Sequence, residues 1–243
     1  MSRPAAGAIQ STVKASRLFF VVATTAFGAG LSGQTTVTWN FGAGSASLAA
    51  SSGTPVGNLT VGSIGSFTGQ TLTTSTASAS GGYTGASGNF NGSFSAVAGT
   101  FNVSSSSAFT VTLTPASGYD VTLTGITFGS RSTASGPTSV AVRTSTDGFA
   151  ASAYSTSVAT TGAWTLVNTG ALTSITGTAT NPLTVRLYGS GGSSAASGNW
   201  RVDDVAMSLA VSAVPEPSTY AAILGAIAFA GSAWRRRVRK NPG

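Results

Sequence analysis

The sequence predicts an all-β protein: a β-sandwich or jelly-roll-like body flanked by an N-terminal signal peptide and a short C-terminal transmembrane helix. Three observations predict the body. Thr, Val, Gly and Ser dominate the middle of the chain, a composition that favours strands and interrupts helices. Apolar and polar residues alternate there with period two, the pattern of strands that bury one face. Turns rich in Gly, Ser and Asp recur at intervals of about ten residues, and such short strands bury their apolar faces by stacking two sheets.

At the N-terminus, Lys14 and Arg17 precede an uncharged, largely apolar run over residues 18–31, and small residues follow through Gly33. This is the layout of a secretory signal peptide over residues 1–33. Cleavage is expected between Gly28 and Gln34, at the bond before Gln34, with an uncleaved signal anchor as the alternative. Either way the segment from residue 34 onward is carried across the membrane.

Residues 34–213 form the predicted body, with residues 34–90 a looser flank or a set of edge strands because bulky side chains are scarce between Gly42 and Gly92. Alternation is clearest where Phe109, Val111 and Leu113 interleave with Thr110, Thr112 and Thr114, and where Leu183, Val185 and Leu187 interleave with Thr184, Arg186 and Tyr188. The parity slips at Gly125, between Leu123 and Ile126, and again across Asp203 and Asp204, between Val202 and Val205. Such slips predict β-bulges. Further strands are expected at residues 35–41, 57–61, 70–76, 99–104, 139–145, 153–158 and 164–169. The run Gly189-Ser190-Gly191-Gly192 has neither the ending of a phosphate loop nor a helical pattern after it, and reads as a hairpin loop.

Composition limits the chemistry of this body. It holds no His, Cys or Glu, which excludes His- and Cys-ligated zinc and removes the usual general bases, so the body is expected to be non-catalytic. The chain carries a net charge of +7, yet the body has four arginines and four aspartates and is neutral; the positive charge belongs to the two termini, and nucleic acid is not expected as a partner. Asp203-Asp204 is the one acidic pair. It is a candidate for a structural Ca²⁺ site completed by backbone carbonyls, or, in the plainer reading, for a salt bridge to Arg201, Arg186 or Arg143 or a turn cap. No other cofactor is expected. Tyr188, Trp164 and Trp200 are candidate glycan contacts, Tyr188 above all because it lies opposite the apolar face of its strand; the plainer reading is packing. Ser/Thr clusters at residues 71–80 and 104–107 are candidate O-glycan acceptors.

The C-terminal segment, residues 214–240, has three parts in fixed order. Val214-Pro215-Glu216-Pro217-Ser218 is an extended, proline-stiffened handle. Residues 219–234 contain neither charge nor proline and are apolar all round, unlike an amphipathic core helix. Arg235, Arg236, Arg237, Arg239 and Lys240 then supply a stop signal that stays cytoplasmic by the positive-inside rule. Sixteen residues at about 1.5 Å each reach roughly 24 Å, short of the ~30 Å hydrocarbon core.

These residues resemble a PEP-CTERM sorting signal, the tripartite tail of bacterial exosortase substrates. The resemblance implies that an exosortase recognises Pro215-Glu216-Pro217 and cuts near it after transient anchoring in the inner membrane of a Gram-negative type of cell. Glu216 is then a recognition element. The stretch from about residue 90 to 211 is also similar to carbohydrate-binding-like β-sandwiches, in GITFGSRSTASGPTSVAVRTSTDGF and NWRVDDVAMSL. Together these imply an exported, non-catalytic surface or matrix protein of the exopolysaccharide or biofilm layer, with a carbohydrate-binding module as the alternative and extracellular polysaccharide as a further partner.

Overall fold

The computed structural model describes residues 33–240 except 54, 55, 68, 69, 96, 174, 195 and 216. The signal peptide expected over residues 1–33 lies, but for Gly33, outside the described residues, as does Glu216.

Two antiparallel sheets form the body. The seven-stranded sheet is centred on two long strands, β7 (Tyr119–Ser132) and β13 (Trp200–Ala213), which pair along almost their whole length. On the far side of β7 lie β10 (Trp164–Asn168) and β11 (Ile175–Thr178), end to end. On the far side of β13 lie β1 (Gly33–Trp39) and β5 (Asn91–Phe94), and β5 carries the edge strand β4 (Thr73–Ser75). In the six-stranded sheet, β6 (Ala108–Pro115), β12 (Leu183–Ser190), β8 (Ser139–Thr144) and β9 (Tyr154–Ser157) follow one another, and β2 (Leu59–Val61) and β3 (Gly65–Phe67) share the outer edge of β6. A helix, α1 (Pro217–Lys240), closes the chain.

The core fills the space between the sheets, because each strand turns its apolar parity inward. Val121, Leu123, Ile126, Phe128, Trp200, Val202, Val205, Met207 and Leu209 from one sheet join Phe109, Val111, Leu113, Val140, Val142, Leu183, Val185 and Leu187 from the other in one buried cluster. Trp39, Phe41 and Phe94 complete it. With no cysteine in the chain, this burial and the two ladders carry the stability.

Both parity slips are bulges. Ser208 pairs with Gly125 and Leu209 with Leu123, so Thr124 is the extra residue in β7. Asp203 pairs with Gly129 and Ala206 with Thr127, so Asp204 and Val205 oppose Phe128 alone. Asp204 takes the left-handed conformation, φ 48°, that a bulge of this kind demands and that Asp tolerates better than most residues.

Three sequence expectations are corrected. Residues 99–104 form turns, not a strand, with Ser105 and Ser106 donating back to the Asn102 carbonyl. The Gly189–Gly192 run is not a hairpin loop: it leads from β12 in one sheet to β13 in the other. Gly189 is needed there, since a Cβ would stand 2.7 Å from the Trp200 ring. Strands β3, β5 and β11 were not expected as such; each is three or four residues long and rich in Gly, Ser or Thr, too short to show a period.

Candidate functional site

On the seven-stranded sheet, residues 77–91 fold back over β13 and β7 and are pinned by Asp204. Its carboxylate accepts hydrogen bonds from the Tyr83 hydroxyl (2.7 Å), the Ser87 amide (2.9 Å), the Ser87 hydroxyl and the Ser80 hydroxyl (3.4 Å). Tyr83 lies over Gly129, where a Cβ would come within 2.2 Å of its oxygen. Burial pushes the Tyr83 hydroxyl above its ordinary pKa, so it stays a donor. Asp203 is fully buried beside this clamp; its Oδ1 accepts the Asp204 amide at 2.8 Å and its Oδ2 has no partner. Burial above all, with the neighbouring Asp204 carboxylate, raises Asp203 to about 7.

This arrangement tests the calcium expectation. Calcium takes six to eight oxygen ligands. Asp204 is already committed to four donors and Asp203 offers one unengaged oxygen, and among the described residues no group of three or more His, Cys, Asp or Glu could hold a metal ion. The pair is a structural clamp and does not fit a Ca²⁺ cage. Nor does it form the expected salt bridges: among the described residues no arginine reaches either carboxylate, and Arg201 instead donates to the Ala77 carbonyl (3.0 Å) and Asn91 Oδ1 (2.8 Å).

The three aromatic candidates have different fates. Trp200 is wholly buried, its Nε1 donating to Ser130 Oγ at 3.1 Å and its ring edge-on to Phe109. Trp164 is half-buried: its Nε1 donates to the Ser78 carbonyl at 3.0 Å and its ring packs against Tyr83. Tyr188 does point away from the core, yet it is fully buried, which corrects the exposure expected of it. Residues 99–107 and Phe67 cover it: Phe101 lies edge-on at 5.1 Å and Phe67 at 6.3 Å, and the Tyr188 hydroxyl donates to the Val103 carbonyl at 3.1 Å.

Around Tyr188 the six-stranded sheet carries a cluster that no sequence motif announces. Arg186 on β12 and Arg143 on β8 are direct cross-strand partners on the outer face. The Arg186 guanidinium lies 3.3 Å from the Phe67 ring centre and 3.7 Å from that of Phe149, and Arg143 lies 4.1 Å from that of Phe101. Arg186 Nη1 donates to the Tyr188 hydroxyl at 3.2 Å; Arg143 Nη1 donates to the carbonyls of Phe149 and Ala150. Both arginines stand at polar positions of alternating strands, so their face was readable from sequence, whereas Phe101 and Phe149 arrive from turns and Phe67 from the short edge strand β3. A cavity of about 290 Å³ is lined by Thr144, Thr146, Asp147, Ala151, Leu172 and Ile175, among others; its one carboxylate, Asp147, accepts the Ala151 amide at 2.8 Å.

The tail leaves the sandwich where the Val214 amide donates to the Gly118 carbonyl at 2.8 Å. Val214 and Pro215 are exposed, and α1 begins at Pro217, a first-turn position where the missing N–H costs nothing. Leu224, Ile227, Phe229 and Trp234 are between 63 and 76% exposed, so the body covers none of them, and Arg235 and Arg236 are exposed beyond. The expected transmembrane helix over residues 219–234 is therefore helical, but among the described residues no helix is long and apolar enough to cross a membrane. The uncharged run is short, and Gly225, Gly231, Ser232 and six alanines dilute its hydropathy.

Residues 213–237 match the PEP-CTERM protein-sorting motif. That motif marks an exported protein with a C-terminal membrane-anchor signal. No curated protein matches the chain. Among solved structures it is similar to the K1 cleaved adhesin domain of Lys-gingipain from Porphyromonas gingivalis W83, at 12% identity over 71% of this chain and 96% of that one, with a TM-score of 0.38. The K3 cleaved adhesin domain of the same protein is 14% identical over 62% and 98%, with a TM-score of 0.31. TmCBM61, solved in complex with beta-1,4-galactotriose, is 15% identical over 65% and 89%, with a TM-score of 0.26.

Proposed function

We propose that this chain, which carries the PEP-CTERM sorting motif over residues 213–237, is a non-catalytic component of the cell surface or extracellular polysaccharide matrix, delivered there by exosortase processing. The observation that carries the reading is the tail itself. An exposed Val214-Pro215 handle stands between a closed sandwich and a helix whose apolar side chains the body leaves bare. Such a helix finds its cover in the inner membrane, where the short span suits a temporary anchor, and the handle presents Pro215, Glu216 and Pro217 to the processing enzyme. The body contributes bulk, a neutral net charge and a surface rich in hydroxyls.

Enzymatic function has little to work with. Of the one pair of adjacent carboxylates, Asp204 is consumed in holding residues 77–91 and Asp203 is fully buried beside it, and the body has no His, Cys or Glu to act as base or nucleophile. Replacing Pro215, Glu216 and Pro217 together with Ala, Gln and Ala tests the sorting role in the producing cell. The full-length chain is expected to accumulate in the membrane fraction with an unchanged melting temperature of the body. Unaltered release of the triple variant contradicts the reading.

A further inference from the structure

We propose that Arg143 and Arg186, on the outer face of the six-stranded sheet, form a binding site for anionic saccharide, a sugar polymer bearing carboxylate or sulfate groups. The proposal rests on the matrix role above and names the ligand class that the body engages there.

Like charges directly opposed across two strands repel, and such pairs are usually separated or neutralised. Here neither happens. Arg143 and Arg186 are register partners, and among the described residues neither has a carboxylate partner. The four aspartates lie elsewhere: Asp120, Asp203 and Asp204 belong to the other sheet, and Asp147, in the turn after β8, is bonded to the Ala151 amide. The net-neutral body thus holds an uncompensated pair of cations on one face.

The pair is also held ready. Phe67 and Phe149 fix the Arg186 plane and Phe101 that of Arg143, while carbonyls and the Tyr188 hydroxyl engage Nη1 of each. Phe149 adopts φ 65°, a strained conformation for an aromatic residue, and stacks on Arg186 from there. What remains unbonded is the other edge of each fork. Nε of both arginines is buried without a partner, whereas Nη2 of both is unbonded and reaches solvent. Nη2 is thus the donor left to an oxyanion, one charge-assisted hydrogen bond from each arginine. Thr112, Thr184, Ser155 and Ser157 surround the pair on the same face, offering hydroxyls to a sugar backbone.

The test uses the full-length chain in nonionic detergent. Because the basic end would itself attract polyanions, every variant also carries Gln at positions 235, 236, 237, 239 and 240. Binding of polygalacturonate, dextran sulfate and neutral dextran is measured by titration. At least one of the two polyanions should bind and neutral dextran should not. Arg186→Gln and Arg143→Gln should each weaken polyanion binding about tenfold, the loss of one charge-assisted hydrogen bond. Arg131→Gln, the same charge change on the other sheet, should leave it unchanged. Ser155→Asp, which places a negative charge on the same face without disturbing the stacks, should weaken binding even if the arginine variants fold poorly. Equal affinity for neutral dextran, no binding of either polyanion, an equal loss in Arg131→Gln, or undiminished binding by Ser155→Asp would overturn the site. Export and processing of the Arg186→Gln chain are followed separately: normal processing with unchanged polyanion binding removes this site and leaves the sorting role standing.

Discussion

Asp204 and Asp203 share an address on β13 and do opposite jobs. Asp204 is satisfied, gathering the Tyr83 hydroxyl and the Ser87 amide in a bulge that its left-handed φ makes possible. Removing the hydroxyl in Tyr83→Phe should cost about 1.5–3 kcal/mol in thermal unfolding, the worth of one hydrogen bond to a carboxylate. Asp203 is buried with one oxygen unpartnered, and its folded-state value near 7 lies above the ordinary value of 3.8. A raised value means that folding favours the protonated form. The stability it contributes is complete below about pH 4 and is lost as pH climbs through 7. The melting temperature should therefore fall between pH 4 and pH 8, and Asp203→Asn should flatten that fall and melt higher than the parent at pH 8. A parent whose melting temperature rises across this window contradicts the assignment.

At the scale of elements, the two bulges let β7 and β13 run for fourteen residues each while keeping their apolar residues inward. Deleting Thr124 removes the extra residue and leaves a regular ladder that keeps Val121, Leu123, Ile126 and Phe128 on one face, so this variant should still unfold cooperatively. Thr124→Ala, which loses only the hydroxyl bond to the Ser208 carbonyl, should cost about 1 kcal/mol or less. Both bulges were legible in the sequence because a slip in parity is a local signal within one strand. The long alternating strands β6, β8, β12 and β13 were legible for the same reason. Strands β3, β5 and β11 were not, since three or four small residues carry no period and are held by their neighbours. The burial of Tyr188 was hidden too: alternation gives the side of the sheet, while the cover of residues 99–107 and Phe67 is a tertiary event. The same limit applied to Asp204, whose bulge was visible but whose partners lie over 110 residues away.

For the whole molecule, charge and apolarity are sorted by destination. Positive charge is concentrated in the termini, unburied apolar surface in α1, and the four body arginines in two cross-strand pairs, Arg131 with Arg201 and Arg143 with Arg186. Burial, and then the nearby Arg131 cation, lower the Arg201 guanidinium below its ordinary value, and carbonyl and amide oxygens stand in for a carboxylate. The first pair is absorbed into the fold of residues 77–91 and 162, the second opens onto solvent. On the proposed reading the body offers one cationic face, while the tail carries the export signal. The most direct test of the account is intact mass spectrometry of the surface-associated protein from the producing cell. The account predicts a chain that begins near Gln34 and ends near Pro215-Glu216-Pro217, without α1, carrying whatever group the transfer adds. A surface form whose mass retains α1 through Lys240 would contradict it.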